Sequence, residues 1–341
     1  MIKRCLGKIT YLLRLFININ ERQRQQKILK IGNIYMKILR YILPATFSLL
    51  IVTSVGSEDL KAKASSKLSA LKDSKINALS NKISENIVSF AEEHFENMKY
   101  LDFTINTQEE LKPTFSIMSV NEIMKIDSGT IFNQTSINTH DGDETINIGF
   151  GTRKLLNDNT LMLGANAFYD HQLTESHERV GAGAEAISSI FDVRANYYNA
   201  ISGRKTNSEG VVELAMDGWD LRGDYHLPIE NDVNLFISAF EFKNPESDST
   251  FRNRGNKFGA DAKLGNFAIE AGYMDDNEDN DSWYGNIKYV VNFGGSDEQK
   301  TNTSNSNTLT DVSAQLYQPV KRENKIRVVK IEASGVVASG F

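Results

Sequence analysis

From Tyr100 onward, apolar and polar residues alternate with a period of two. Trp219, Leu221, Gly223, Tyr225 and Leu227 share one face of a stretch whose other face carries Asp220, Arg222, Asp224 and His226. Successive side chains of a strand point to opposite sides, so this pattern predicts a strand with one apolar and one ionisable face. It recurs along the chain. Phe191, Val193, Ala195 and Tyr197 alternate with Asp192, Arg194 and Asn196. Phe258, Ala260, Ala262 and Leu264 alternate with Gly259, Asp261 and Lys263. Phe267, Ile269, Ala271 and Tyr273 alternate with Ala268, Glu270 and Gly272. Twelve strands are predicted, near 100–107, 115–125, 129–139, 144–153, 160–170, 177–187, 190–200, 216–227, 232–242, 255–264, 266–275 and 282–293. Those near 115–125 and 129–139 alternate least cleanly. Most run to about ten residues, the length a tilted strand needs to cross a bilayer, and bacterial single-chain barrels have an even strand count.

The connections point the same way. Every second gap is short: 126–128, 154–159, 188–189, 228–231 and Gly265. The others include 201–215, 243–254 and 276–281, rich in Asn, Asp, Glu, Ser and Arg. Long and short connections at opposite ends are the arrangement of outer-membrane barrels, with short periplasmic turns and long external loops. The fold expected is therefore all-β, a 12-stranded antiparallel transmembrane barrel. Its lumen-facing set is Asp192, Arg194, Asp220, Arg222, Asp224, His226, Asp261, Lys263, Glu270 and Lys288. Its lipid-facing set is Trp219, Leu221, Tyr225, Trp283, Tyr289 and Phe293.

Upstream the period changes. Leu60, Ala64, Leu68, Leu71, Leu79, Ile83, Ile87, Phe90, Ala91, Phe95 and Met98 recur at steps of three and four, which predicts an amphipathic helix within 58–98. Before it, Lys37 and Arg40 precede the apolar run Tyr41–Val55, and Val55 and Ser57 suit the small positions of a cleavage site. Residues 1–57 are thus expected to be an N-terminal extension and export signal, with translation starting at Met1 or Met36. The chain divides into 1–57, a periplasmic helix at 58–98, the barrel at 99–293 and a linker with a short tail at 294–341.

Charge sharpens this division. Residues 1–57 hold 10 Lys and Arg against Glu21 alone, leaving 28 basic and 43 acidic residues, a net of −15, in the remainder. Such a body repels nucleic acid, which is set aside as a partner. The single cysteine, Cys5, precludes a disulfide or thiolate metal site in residues 6–341.

Three stretches resemble the barrel domain of the intimin/invasin family, the inverse autotransporters of type V secretion: NIGFGTRKLL at 147–156, LMLGANAFYDHQLTESHERVGAGAEA at 161–186 and DGWDLRGDYHLP at 217–228. LYQPVKRENKI at 316–326 resembles the family's post-barrel linker. The resemblance implies a twelve-stranded barrel whose following segment re-enters the lumen and leads an adhesive passenger, C-terminal or separately encoded, to the cell surface of a Gram-negative bacterium. Family passengers are strings of immunoglobulin-like and lectin-like domains. Only 48 residues follow Phe293, whereas one such sandwich needs about 100 residues, so the tail is expected to be too short to hold a passenger domain. The aromatic-ended last strand, closing on Phe293, resembles the signal read by the barrel assembly machinery. Partners expected are outer-membrane lipid, that machinery, periplasmic chaperones and a passenger or host-surface partner.

Candidate chemistry changes little. Asp220, Arg222, Asp224 and His226 suggest an enzyme, but side chains at i and i+2 of one strand merely share a face, and a polar lumen carries charges in any case. Two histidines, His171 and His177, lie near Asp170, Glu175 and Glu178 without fixed geometry, so a solvated loop is the expectation rather than a metal site. The acidic run at 275–282 is expected to be a surface loop. The pairs Gly149/Gly151 and Gly181/Gly183 lack the helix of a phosphate loop and are expected to allow bending or to leave room for a lumen plug. No catalytic site, cofactor or metal is expected. A small-solute porin is the alternative function, and a barrel hydrolase ranks behind it.

Overall fold

A computed structural model of the chain describes residues 97–108, 114–140, 143–207, 210–227, 233–246, 250–278, 281–293, 308–332 and 335–339. The export signal, Cys5 and most of the expected helix lie outside the described residues. Met98, read from the sequence as the last apolar position of that helix, instead opens the first strand.

Twelve strands close into one antiparallel barrel. They are β1 (Met98–Gln108), β2 (Thr114–Ile126), β3 (Gly129–His140), β4 (Asp143–Leu156), β5 (Leu161–Gln172), β6 (Glu178–Ser188), β7 (Phe191–Ala200), β10 (Asp217–His226), β11 (Val233–Lys243), β12 (Arg252–Leu264), β13 (Phe267–Asp276) and β14 (Ser282–Asn292). Each pairs with its sequence neighbours, and β14 closes on β1 from Tyr100↔Asn292 to Gln108↔Tyr284. A closed sheet leaves no strand edge unpaired, which is what a hydrocarbon surround demands of a β structure. Two further strands, β8 (Lys205–Thr206) and β9 (Val212–Ala215), form a hairpin in the long connection between β7 and β10. Two more, β15 (Val328–Glu332) and β16 (Gly335–Ser339), follow the barrel and join them in a four-stranded sheet ordered β16-β15-β9-β8. Neither this sheet nor the hairpin shows in the period-two pattern.

The two strands with the weakest alternation are present, and their irregularity has a cause. The pairing of β2 with β3 shifts register between Glu122 and Met124. A bulge places an extra residue on one strand, so the adjacent Ile123 and Met124 are both exposed, at 51% each. Along β7, by contrast, exposure and burial alternate without a break from Phe191 to Tyr198.

At one end the strands are joined by tight turns. Ser128, Asn157, Asp158, Asn159 and Gly265 take positive φ there, a conformation that Asn, Asp and Gly adopt at least cost. The opposite end carries the two longest connections, 201–216 and 244–251, although only residues 141–142 separate β3 from β4 there and residues 227–232 separate β10 from β11 at the tight-turn end.

Candidate functional site

The inward face of the barrel is a dense polar lattice. Arg153 and Arg179 are fully buried, on β4 and β6; Arg153 donates to Glu185, two strands away on β6, and Arg179 to Asp170 on the neighbouring β5. Arg194 spans Asp192 at 2.9 Å and Asp224 at 2.8 Å. Arg222 reaches three acids, Asp224 at 2.8 Å, Asp261 at 3.3 Å and Glu270 at 3.1 Å. Asn196 and Tyr198 donate to Asp220, and His226 Nε2 lies 3.1 Å from Asp192. Inward charges thus neutralise one another within and across strands, which is how ionised groups survive burial.

Residues 310–327 make a run of contacts with this face. At the tight-turn end, Thr310 N donates to Ser189 Oγ and Val312 N to Asn159 O. Val312 and Leu316 pack with Leu155, Met162 and Ile187. Next, Arg153 donates to the carbonyls of Leu316 and Gln318, and Tyr317 donates to Glu122. Val320 joins Tyr100, Val120, Phe132, Phe168 and Val290 in an apolar cluster and exchanges backbone hydrogen bonds with the Gln134 amide. Lys321 Nζ then lies 2.9 Å from Asp224 and 3.7 Å from Asp261. Arg322 pairs with Asp170. Arg179 donates to Glu323 O and Asn147 to Asn324 O. At the long-connection end, Arg327 donates to Asn253, its carbonyl accepts from Met216 N, and β15 pairs with β9.

Glycine makes the room. A Cβ on Gly149 would fall 2.2 Å from the Phe168 ring, and one on Gly151 2.4 Å from Phe132. Those rings carry Arg322 at 4.2 Å and Arg153 at 4.8 Å. A Cβ on Gly181 would meet Arg322 itself at 3.2 Å. The inward glycines are therefore sites of close approach to the segment and to the rings that hold it.

A cavity of about 290 Å³ remains between residues 319–327 and β1, β2 and β10–β14, with Asp102, Lys257, Glu270 and Lys288 on its walls.

Of the residues expected to face the lumen, Asp192, Arg194 and Asp224 are buried in the lattice, while Asp220, Arg222, Glu270 and Lys288 line the cavity. His226, Asp261 and Lys263 are half-buried. Of those expected to face lipid, Trp219, Leu221, Tyr225 and Trp283 are exposed. Tyr289 and Phe293 are not: they are buried in an aromatic cluster with Met98, Leu101, Phe103 and Phe267, in which Tyr289 meets the Phe267 ring edge-on at 5.2 Å. Residues at the β13–β14–β1 seam cover one another. Of Asp220, Arg222, Asp224 and His226, Arg222 and Asp224 pair with each other, while Asp220 accepts from Asn196 and Tyr198 and His226 lies beside Asp192.

Sequence reading missed Arg179, Arg153, Glu185 and Gln134, and grouped Asp170 with a solvated loop, whereas it is fully buried in the lattice. A signal existed, since Arg153, Asp170, Arg179 and Glu185 stand in register with the inward glycines Gly149, Gly151, Gly164, Gly181 and Gly183, opposite a face that carries no charge in the middle of these strands. Lys321 finds two acids of the expected lumen-facing set, Asp224 and Asp261, whereas Arg322 pairs with Asp170 and Arg327 with Glu323.

Beyond the barrel wall, His177 is fully buried with Nε2 3.6 Å from Glu213 of β9, and Lys330 of β15 lies 3.8 Å from the same carboxylate. The His177 ring beside it holds the Glu213 carboxyl below its ordinary pKa despite partial burial, with help from the Asn207 hydrogen bond and the Lys330 charge. Glu175 shifts the other way, raised by burial and by the charges of Asp143 and Glu213. Among the described residues, no three His, Cys, Asp or Glu side chains form a group that would hold a metal ion.

Comparison with known proteins agrees with this architecture. A family model described as "Inverse autotransporter, beta-domain" matches residues 53–324. A "Putative attaching and effacing protein homolog" of Escherichia coli (strain K12) is 39% identical over 100 residues, covering 29% of this chain and 34% of that protein. "Inverse autotransporter adhesin YeeJ" of the same organism is 35% identical over 104 residues, covering 28% and 4%. "Invasin" of Yersinia enterocolitica is 36% identical over 103 residues, covering 30% and 12%. The matched stretches therefore span about a third of the first relative's length and far less of the other two. A solved structure, "Unveiling the Mechanism Behind the in-meso Crystallization of Membrane Proteins", is similar in fold with a TM-score of 0.58 at 19% identity, over 67% of this chain and 98% of that one. With the twelve-stranded closed barrel in place and the family match running from residue 53 to residue 324, the chain belongs to the inverse autotransporter β-domain family, outer-membrane proteins of Gram-negative bacteria.

Proposed function

We propose that this barrel is a translocator and anchor: the segment after Phe293 re-enters the lumen, crosses it and carries an adhesin or invasin passenger, C-terminal or separately encoded, to the cell surface. Residues 1–57 then serve as extension and export signal, 58–98 as a periplasmic helix, 99–293 as the barrel and 294–341 as lumen linker and exposed tail. The observation that carries this reading is the order of the linker's contacts, from Asn159 and Ser189 at the tight-turn end to Met216 and β9 at the other.

Parity supplies the direction. With the N-terminal helix in the periplasm, β1 starts there, and twelve crossings return the chain to the periplasm at Phe293. A linker that ends at the opposite end has then passed outward. Length is ample: the 48 residues after Phe293 extend to at most ~160 Å at ~3.3 Å each, against an apolar band ~25 Å tall. The work is physical. The closed sheet is stable in lipid, the polar lumen passes an extended peptide, and the ion pairs with Asp170 and Asp224 hold the linker once export is complete. No cofactor enters. Barrel assembly machinery and periplasmic chaperones act during biogenesis. A small-solute porin requires an open lumen, and the Arg322, Lys321 and Val320 contacts favour the translocator.

The test is an epitope placed after Phe341 in cells. Unboiled protein from the outer-membrane fraction is expected to run faster on a detergent gel than boiled protein, and the epitope to be stained on intact cells. Recovery in the soluble periplasm, or a folded barrel whose epitope is stained only after permeabilisation, contradicts the reading.

A further inference from the structure

The outer face of the wall carries a group of cations at the long-connection end. Lys243 ends β11 and stands directly opposite Arg252, which begins β12. Two residues nearer the middle of the wall, Glu241 stands opposite Arg254. Like charges set opposite each other across a strand pair repel. The acids of this face have partners of their own. Glu241 is taken by Arg252, at 2.8 Å. Asp217, across from Lys243 on β10, accepts from Ala200 N, and Asp275 of β13 is hydrogen-bonded to Asp281. Lys243 and Arg254 are exposed, and neither has a carboxylate within 4.0 Å among the described residues.

Their height on the wall matches a headgroup layer. Glu241 lies beside Trp219, and Trp219 beside Tyr197, two rings exposed on the outer face. Aromatic girdles mark the edges of a barrel's apolar band. Toward the tight turns the same face carries Leu221, Ile237 and Phe258, all exposed. Lys243 and Arg252 stand two residues beyond Glu241 and Arg254, ~7 Å further along the strands and away from that apolar surface. The backbone that presents the two arginines is braced. The Asn277 side chain donates to Arg252 O and accepts from Arg254 N, and Asn277 N donates to Arg254 O.

We propose that Lys243 and Arg254, with Arg252 beside them, bind the phosphate headgroup of an anionic glycolipid in the leaflet around the long-connection end. A guanidinium fork matches phosphate oxygens, and an ammonium adds a point charge. The acyl chains of the same lipid lie against Leu221, Ile237 and Phe258, and its phosphate supplies the counter-charge that the facing cations lack. That this leaflet faces the cell exterior rests on the orientation proposed above.

The full chain, folded in detergent micelles, is titrated with diphosphoryl lipid A, and bound lipid is measured by native mass spectrometry. Saturable binding is expected, weakened about tenfold or more in the double variant Lys243→Gln/Arg254→Gln, as loss of two charge-assisted contacts implies. Lys154→Gln, which removes an exposed cation at the tight-turn end, is expected to bind as the native chain does. Lipid A stripped of its phosphates is expected to bind about tenfold more weakly or worse, and inorganic phosphate at the same concentration not to displace the intact lipid. Gel mobility of unboiled samples reports that each variant is folded. Should the double variant not fold, the comparison of the two lipids on the native chain decides. Micelles have no outer leaflet, so this result stands apart from the epitope test of orientation. Equal binding by the double variant, equal binding of the two lipids, or displacement by inorganic phosphate overturns the proposal.

Discussion

Arg322 of the post-barrel segment and Asp170 of β5 form a two-pronged ion pair, with nitrogen–oxygen distances of 2.9 and 2.7 Å, where the two side chains are 1% and 0% exposed. The same carboxylate accepts from Arg179 at 2.9 Å and Asn147 at 2.7 Å, and the Arg322 guanidinium lies 4.2 Å from the Phe168 ring. One buried acid thereby ties two wall strands and the linker together. The arrangement is asymmetric, since Asp170 has two arginine partners and Arg322 has one acid.

Asp170→Ala should therefore cost more than Arg322→Met. The first strands two buried guanidinium groups, a loss of ~3–5 kcal/mol. The second leaves Asp170 paired with Arg179 and should cost less. Urea unfolding of the barrel in lipid vesicles measures both, and an equal or larger loss for Arg322→Met would show that the pair does not hold the linker to the wall.

Leu221 and Arg222 test the two faces of β10. Leu221 is 46% exposed on the outer face, so Leu221→Arg should cost ~2–4 kcal/mol near the bilayer midplane. Arg222→Leu should also destabilise, by leaving Asp224, Asp261 and Glu270 short of a cation, and Arg222→Lys should restore part of the loss. Vesicle unfolding that finds Leu221→Arg neutral would place that face away from lipid.

Much of this architecture is legible in the chain itself, because a strand with one face in hydrocarbon and one in a polar lumen must alternate. Trp219 to Leu227 carries the pattern unbroken, and β10 lies there. The bulge at Glu122–Met124 blurs it, since an inserted residue shifts every later side chain to the other face. Tyr289 and Phe293 show a second limit, as alternation assigns a face but not the neighbours that cover it. The tie between Arg322 and Asp170 has no local signature, because the partners are 152 residues apart. The β9–β15 pairing is hidden for the same reason: Val328 faces Ala215 across a distance in sequence that no periodicity spans.

Outside the barrel wall, acid should loosen the β9–β15 pairing. His177 holds the Glu213 carboxyl below its ordinary value, so the stabilisation is fully present above the unfolded value of ~4.3 and is lost as pH falls through the lower folded value. Amide exchange at Val328–Ile331, corrected for intrinsic rates, should accelerate over that range. In Glu213→Gln the acid-dependent step should vanish. A step that persists in this variant would assign it to another group.

Gly149 should resist even a methyl group. Its Cβ would stand 2.2 Å from the Phe168 ring, so Gly149→Ala must displace the ring under Arg322, at ~1–3 kcal/mol. Phe168→Leu should relieve the clash. A double-mutant cycle on unfolding free energies that finds the two substitutions additive would remove Phe168 as the obstacle.

The central claim is that the linker passes outward through the lumen, and one cysteine tests it. In a Cys5→Ser background, Ser339→Cys is the chain's sole thiol, at the end of β16. Intact cells are treated with a membrane-impermeant thiol reagent, with and without prior permeabilisation of the outer membrane. Labelling of intact cells, not increased by permeabilisation, is the result expected of a linker that crosses from the tight-turn end to the cell surface. Labelling only after the membrane is opened would contradict it and leave a barrel whose tail remains in the periplasm.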